Sequence, residues 1–232
     1  MYLRWIPFLN KKKIVLGSGS PQRQKILSDL MLNFEVQKSS FEENISKENI
    51  SPSKYVELTC LGKFNNFIEN KINCDILITA DSIIEFNNEI YEKPKNKDEL
   101  KKWFELFSNE KILAHTFMII GIFDKNILIK QEKFLTSSFV NFMEMNDEII
   151  NDYVETQEPY NKAGGFGVQG LAKCLIKGIE GDFYNVVGFP VCNFTNKLVK
   201  LCEEIYGKNE YKNIDLFFFY KFNFFFFFFF LI

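Results

Sequence analysis

The stretch "IVLGSGSPQRQKIL", Ile14 to Leu27, decides how this chain is read. Three apolar residues, Ile14 to Leu16, run into Gly-Ser-Gly-Ser-Pro and then straight into a helical pattern. Ser20 followed by Pro21 is a good N-cap and first-turn pair, and Ile26, Leu27, Leu30 and Met31 fall on one face of the helix that follows. A buried strand, a loop of small residues and a helix N-terminus, in that order, turn free backbone N–H groups toward an anion. Ser18 and Ser20 lie where phosphate oxygens would be held, and Arg23 can add a forked cationic contact. The plainer alternative is a capped helix with a surface arginine. The loop lacks the GxxxxGK[ST] pattern and is not a P-loop.

Composition narrows the partners. The 232 residues are 47% hydrophobic, enough for one large domain or two small lobes. A net charge of −2 gives no broad basic field, which argues against a nucleic-acid duplex or an anionic membrane and leaves small ligands. Cys60, Cys74, Cys174, Cys192 and Cys202 contain no CxxC pair and fit neither a disulfide framework nor a zinc site, so a reducing, cytoplasmic setting is expected. Residues 1–13 have too few apolar positions for a signal-peptide core and read as an N-terminal extension. Residues 208–232 end in "FFFYKFNFFFFFFFLI", a low-complexity phenylalanine tail interrupted by Lys221 and Asn223. That run falls short of the ~20 residues a bilayer-spanning helix needs, and it reads as a biased tail, a coding-sequence artefact or a membrane anchor, with no catalytic role. The working domain is residues 14–207.

Within it, two charged residues sit where charge is awkward. A helix beginning near Ser51-Pro52 places Val56, Cys60, Phe64 and Phe67 on one stripe, with Lys63 in the middle. Lys63 either snorkels or reaches a cleft that holds an anionic partner. In "CDILITADSIIEF", Ile76 to Phe86 reads as a strand buried on both faces, yet Asp81 lies in its interior and requires a cationic or metal partner. The Asn87-Asn88 turn returns a hairpin and leaves Lys93 in an extended segment before Pro94. A helix over residues 98–107 follows, then strands at 112–123, 127–131 and 134–143, the first two joined by a tight "DKN" turn. His115, the one histidine, lies in the first of these and reads as a structural or supporting residue. Asn146 caps a helix reaching about Val154, and a last helix runs from after Pro190 to near Gly207.

"GFGVQG", Gly165 to Gly170, matches GxGxxG letter for letter. A Rossmann unit needs a strand before it and a helix after it, whereas polar "ETQEPYNKAG" precedes here and strand-like "LAKCLIKGI" follows. No HRD or DFG segment accompanies it, so a kinase loop is also excluded.

Ordered along the chain are "SGSPQR" (Ser18 to Arg23), Glu43 in "SFEEN", Lys63 in "LGKF", Asp81 in "TADS", Lys93 in "YEKP", His115 in "AHTF", "NKAGGFGVQG" (Asn161 to Gly170) and "GDFYNVVGFP" (Gly181 to Pro190). With these the chain resembles the Maf family of nucleoside triphosphate pyrophosphatases over most of Ile14 to Gly207. The resemblance implies an α/β fold, a mixed elongated sheet flanked by helices, with two lobes around a nucleotide-binding cleft in the manner of inosine triphosphate pyrophosphatase. Early strand–helix alternation followed by clustered hairpins points the same way. It further implies a homodimer that hydrolyses a nucleoside triphosphate between the α- and β-phosphates.

In the family's terms Asp81 is the catalytic base, and Glu43 and Asp81 hold Mg²⁺ or Mn²⁺. Ser18, Ser20, Gln22, Arg23, Lys63, Ser82, Lys93, Lys162 and Gln169 bind substrate. The branch acting on dTTP and UTP carries arginine after the proline, threonine after the aspartate and glutamine in "IQG", against Gln22, Ser82 and Gln169 here. The branch acting on 7-methyl-GTP resembles a set with tryptophan at the Gln22 position and glutamate at the Gln169 position, and this chain has neither. The pyrimidine branch is therefore expected, although Gln22 departs from both, Phe166 replaces the usual tyrosine and Ile119 stands where threonine is usual. The alternatives are a 7-methyl-GTP-type enzyme and a non-catalytic nucleotide-binding regulator, which would keep Arg23, Lys63 and Lys93 but have no need of Asp81.

Overall fold

The computed structural model describes residues 2–208 and 210. A 3₁₀ turn, Tyr2–Trp5, leads into α1 (Ile6–Leu9), β1 (Ile14–Leu16), α2 (Pro21–Asp29), the short β2 (Glu35–Val36) and the long α3 (Pro52–Glu69). Then come β3 (Ile76–Phe86), β4 (Glu89–Tyr91), α4 (Lys97–Phe107), β5 (Lys111–Asp124), β6 (Ile127–Phe142) and α5 (Asp147–Val154). Three 3₁₀ turns between Pro159 and Leu175 precede β7 (Ile176–Glu180), α6 (Phe183–Val187) and α7 (Val191–Tyr206). Local chemistry sets these boundaries. The side chains of Ser20, Ser51, Asn96, Asn146 and Asp182 each accept an N–H in the first turn of the helix they precede. Positive φ at Asn87 and Asn88, and at Lys125 and Asn126, closes the two hairpins with turns that suit strand twist.

The strands form one mixed sheet in the order β2-β1-β3-β5-β6-β7, with β4 paired to β3. β1 runs parallel to β2 and β3, and the other pairings are antiparallel. The register along β3 makes the site possible. β1 pairs only with Ile76 to Ile78, and β4 only with Ile84 to Phe86. Between Thr79 and Ile83, β3 therefore has a strand neighbour on its β5 side alone, and the chain leaving β1 opens a cleft there. Ligands of open α/β sheets gather at such carboxyl ends.

Three apolar clusters produce two lobes. Over one face of the sheet, α1, α2 and α7 pack Leu9, Leu27, Phe194 and Leu198 against Leu16, Ile78 and Ile120. On the other face, α3 packs Val56, Cys60 and Phe64 against Val15, Leu77 and Ile119. The second lobe is built where Leu100, Phe104 and Phe107 of α4 and Ile150 and Tyr153 of α5 cover the far ends of β3, β5 and β6. The N-terminal extension is an extension in sequence that packs as core: Trp5, Ile6 and Leu9 are fully buried.

Several expectations change. The two strands expected at 127–131 and 134–143 are one, β6, ending at Phe142, since Gln131, Glu132 and Lys133 simply continue the pairing opposite Gly121, Ile120 and Ile119. α2 ends at Asp29, so Met31 leaves the apolar face, adopts φ 61 and is exposed. "LAKCLIKGI" is strand only from Ile176, because Leu171 and Ala172 donate their N–H groups to the Glu158 carboxylate and start a 3₁₀ turn. α6, capped by Asp182, is an element the sequence reading lacks. Among the described residues no helix is long and apolar enough to cross a membrane, all five cysteines are free, and the phenylalanine-rich tail lies outside the described residues.

Candidate active site

A cleft of about 710 Å³ opens at the gap beside β3. Its walls are the Gly17–Arg23 loop, β3 from Ala80 to Ile84, Lys93 after β4, the loop carrying Lys162 and Gln169, and residues 185–188. The two residues that were awkward in the sequence meet there. Lys63 Nζ lies 2.6 Å from Asp81 Oδ1 and 3.0 Å from Glu43 Oε1. Asp81 is 9% exposed, and burial is the main influence that lifts its carboxyl above the usual aspartate range, against the pull of Lys63. Burial works to lower the Lys63 ammonium, but Asp81 and Glu43 together hold it above the ordinary lysine value. The pair is thus a proton-hungry carboxylate beside a firmly protonated amine.

Arg23 lines the cleft and is not a surface residue; acceptors of the protein hold its guanidinium in place. Only 8% exposed, it donates Nε–H to the Gly188 carbonyl (2.9 Å), Nη1 to Ser18 Oγ (3.0 Å) and to the Ala80 carbonyl (2.8 Å), and Nη2 to Ser82 Oγ (2.8 Å). The Ala80 carbonyl belongs to the stretch of β3 that lacks a strand neighbour, so the guanidinium stands in for the missing strand and ties α2, β3 and the loop after α6 together. Gly188 presents its carbonyl from φ +102, a conformation that favours glycine.

The other expected substrate residues line the same cleft. Ser18 and Ser20 flank the loop, Gln22 accepts a hydrogen bond from Ser20 Oγ (3.2 Å), and Lys93 and Gln169 are exposed on the rim. Lys162 Nζ donates to the Glu158 carbonyl (2.7 Å). His115, as expected, is held structurally: Nε2 lies 2.6 Å from Glu85 and Nδ1 lies 2.7 Å from Ser137 Oγ. "GFGVQG" follows a 3₁₀ turn and precedes another, which agrees with the exclusion of a Rossmann unit.

Sequence reasoning missed Thr116, Asn185 and Glu158. Thr116 Oγ1 meets Ser82 Oγ at 2.9 Å and the Asn185 carbonyl at 3.1 Å, while Asn185 Nδ2 donates to Ala114 and Ser138. The Glu158 carboxylate approaches so closely that a Cβ on Gly170 would fall 2.1 Å from its oxygen, which is why glycine follows Gln169. Only Asn185 had a signal, as the one polar side chain of the apolar run "YNVVGF".

Two carboxylates, Asp81 and Glu43, converge on one cation-sized point, the Lys63 ammonium. Among the described residues there is no group of three or more His, Cys, Asp or Glu that could hold a metal. Two carboxylates fit a hard cation that takes its remaining ligands from water and phosphate, as magnesium does.

The family model described as "Maf-like protein" matches residues 13–201. Among curated relatives, the dTTP/UTP pyrophosphatase of Fusobacterium nucleatum is 35% identical over 188 residues, 81% of this chain and 95% of its own length. The protein of the same name from Bacillus cereus is 35% identical over 188 residues, 81% and 94% of the two chains, and that from Clostridium beijerinckii 34% over 194, or 83% and 99%. Among solved structures, the Staphylococcus aureus Ham1 protein matches with a TM-score of 0.44 and 12% identity, over 82% of this chain and 99% of that one.

Proposed function

The chain belongs to the Maf family, and from that premise we propose that it hydrolyses UTP and dTTP between the α- and β-phosphates, releasing pyrophosphate and the nucleoside monophosphate. The observation that carries this reading is the Asp81–Lys63–Glu43 group, set in the gap of β3 beside the Ser18–Ser20 loop. A nucleotide-binding protein without turnover has no use for a buried carboxylate of raised basicity at that point.

In the proposed reaction a water oxygen bonds to the α-phosphorus, the bond from that phosphorus to the bridging oxygen breaks, and its electron pair leaves with pyrophosphate. Asp81 takes the proton of the attacking water. Lys63, Lys93 and Lys162 offset the charge on the triphosphate, and the first-turn N–H groups of α2 and the Ser18 hydroxyl orient it. Glu43 and Asp81 would hold Mg²⁺ or Mn²⁺, an ion that neutralises phosphate oxygens and the leaving pyrophosphate. Gln22 and Gln169 line the same cleft, and their amides, each able to donate and accept, can pair with the carbonyl groups of a pyrimidine, while neither offers the flat face that suits 7-methylguanine. A homodimer, implied by the family, belongs to the same proposal and is tested by sedimentation of residues 1–207.

The experiment is a panel of nucleoside triphosphates assayed for pyrophosphate release. UTP and dTTP are expected to exceed ATP, GTP and 7-methyl-GTP in kcat/KM. Equal kcat/KM on 7-methyl-GTP and UTP would assign the chain to the other branch.

A further inference from the structure

Side chains alternate along β3, so consecutive residues face opposite walls of the cleft. Asp81 faces the Lys63 ammonium. Ser82 faces the other way, toward Arg23 and Thr116, on a wall that also carries Ile84, Ala114 and Val186. The first wall carries the charges of Asp81, Glu43 and Lys63. The second presents the Ser82 and Thr116 hydroxyls, backed by the Arg23 guanidinium, beside the apolar Ile84, Ala114 and Val186, which suit the flat face of a base.

The protons on that second wall can be accounted for one by one. The Asn185 carbonyl cannot donate, so the Thr116 hydroxyl gives it its proton across 3.1 Å. With that proton committed, Thr116 Oγ1 is the acceptor in its 2.9 Å contact with Ser82, and Ser82 is the donor. Ser82 Oγ in turn accepts from Arg23 Nη2 at 2.8 Å. Its proton and one lone pair are then spent, and one lone pair remains for the cleft. Ser18 is polarised the opposite way: its oxygen accepts from Arg23 Nη1 at 3.0 Å and from the Ser20 N–H at 3.3 Å, which leaves its proton as the group it can offer a phosphate oxygen.

We infer that the relay Arg23–Ser82–Thr116–Asn185 fixes Ser82 as a hydrogen-bond acceptor that reads the imide N3–H of uracil or thymine. The inference rests on the proposed pyrimidine-triphosphatase reading and adds a direction to it. Cytosine has the same ring size, but its N3 is an acceptor, and two lone pairs would be set against each other. Guanine also carries an N–H, at N1, so the comparison that isolates the direction of this bond is UTP against CTP. Thr116, fully buried, is a positioning residue: it acts on the base only through the proton it takes from Ser82.

The test measures kcat/KM for pyrophosphate release from UTP and CTP. The unmutated protein is expected to prefer UTP by roughly tenfold or more, the effect of one mismatched buried pair. Thr116→Val keeps the shape but cannot accept, which frees the Ser82 proton to turn toward the cleft. The UTP-to-CTP ratio should then fall to within about threefold, and Thr116→Ser, which restores the acceptor, should recover it. Ser82→Ala should lose the preference as well, and it keeps the inference falsifiable if the valine variant does not fold. Equal use of UTP and CTP by the unmutated protein, or an unchanged ratio in folded Thr116→Val or Ser82→Ala, would overturn the relay while the pyrophosphatase reading stands. Absence of pyrophosphate release from every triphosphate would overturn that reading and the relay with it.

Discussion

Asp81 and Ser82 are neighbours in β3, yet they occupy different chemical worlds. Asp81 stands 2.6 Å from one ammonium, and a second carboxylate, Glu43, shares that cation. Ser82 stands in a chain of neutral hydroxyls anchored at one end by the Arg23 guanidinium and at the other by the Asn185 carbonyl. On the first wall, charge balance does the work, and removing a partner leaves a buried ion uncompensated. On the second, the direction of each proton does the work, and the polar groups are already satisfied by one another. On the proposed reading, a one-residue step along a pleated strand separates bond cleavage from base reading, because the gap between β1 and β4 leaves both Asp81 and Ser82 lining the cleft.

The contrast can be broken most strongly at Asp81. Asp81→Asn removes the proton acceptor while preserving size, so kcat is expected to fall about 10³-fold with nucleotide affinity, read by isothermal titration, nearly unchanged. Near wild-type turnover at saturating metal would remove the base from the charged wall. The UTP-to-CTP affinity ratio should survive this substitution, since the relay lies on the other side of the strand.

Lys63→Met is expected to act next most strongly, lowering kcat/KM about 10²-fold. It also carries a pH signature. The Asp81 carboxyl is raised by burial and held back by Lys63, and a base works only when ionised. Activity is therefore present above that raised pKa and lost as pH falls through it, at a higher pH than for an ordinary carboxylate. Without Lys63 the carboxyl rises further, and the acid limb of kcat/KM should move to higher pH. A limb that stays in place, or moves down, would show that the pair does not set the basicity of the site. Glu43→Gln is the mildest of the three: half-exposed Glu43 is expected to affect the divalent-cation concentration needed for half-maximal rate, by roughly tenfold, and to leave kcat at saturating metal close to normal.

The wall of Asp81 and Lys63 was legible in the sequence, and the hydroxyl wall was not. A lysine in the middle of the α3 stripe and an aspartate inside a β-branched strand each break a local rule, and each break points to the other. The span of β3 and the caps at Ser20, Ser51 and Asn146 were legible for the same reason, since propensity and cap chemistry act within a few residues. Arg23 breaks no local rule in a first helical turn. Its acceptors at Ala80, Ser82 and Gly188 lie 57, 59 and 165 residues away, and nothing local announces them. Thr116 and the carbonyl of Asn185 are likewise ordinary in sequence and acquire their role only when β5 and α6 are laid beside β3. The unbroken β6 was hidden for the converse reason: the charged pair Glu132-Lys133 looks like a break until pairing with β5 supplies its partners.

The central claim, that the charged wall directs cleavage between the α- and β-phosphates, is tested most directly by ³¹P NMR of UTP turned over by the unmutated protein. Inorganic pyrophosphate and UMP should appear together as the first products, in equal amounts. UDP and inorganic phosphate as the first products would contradict the account.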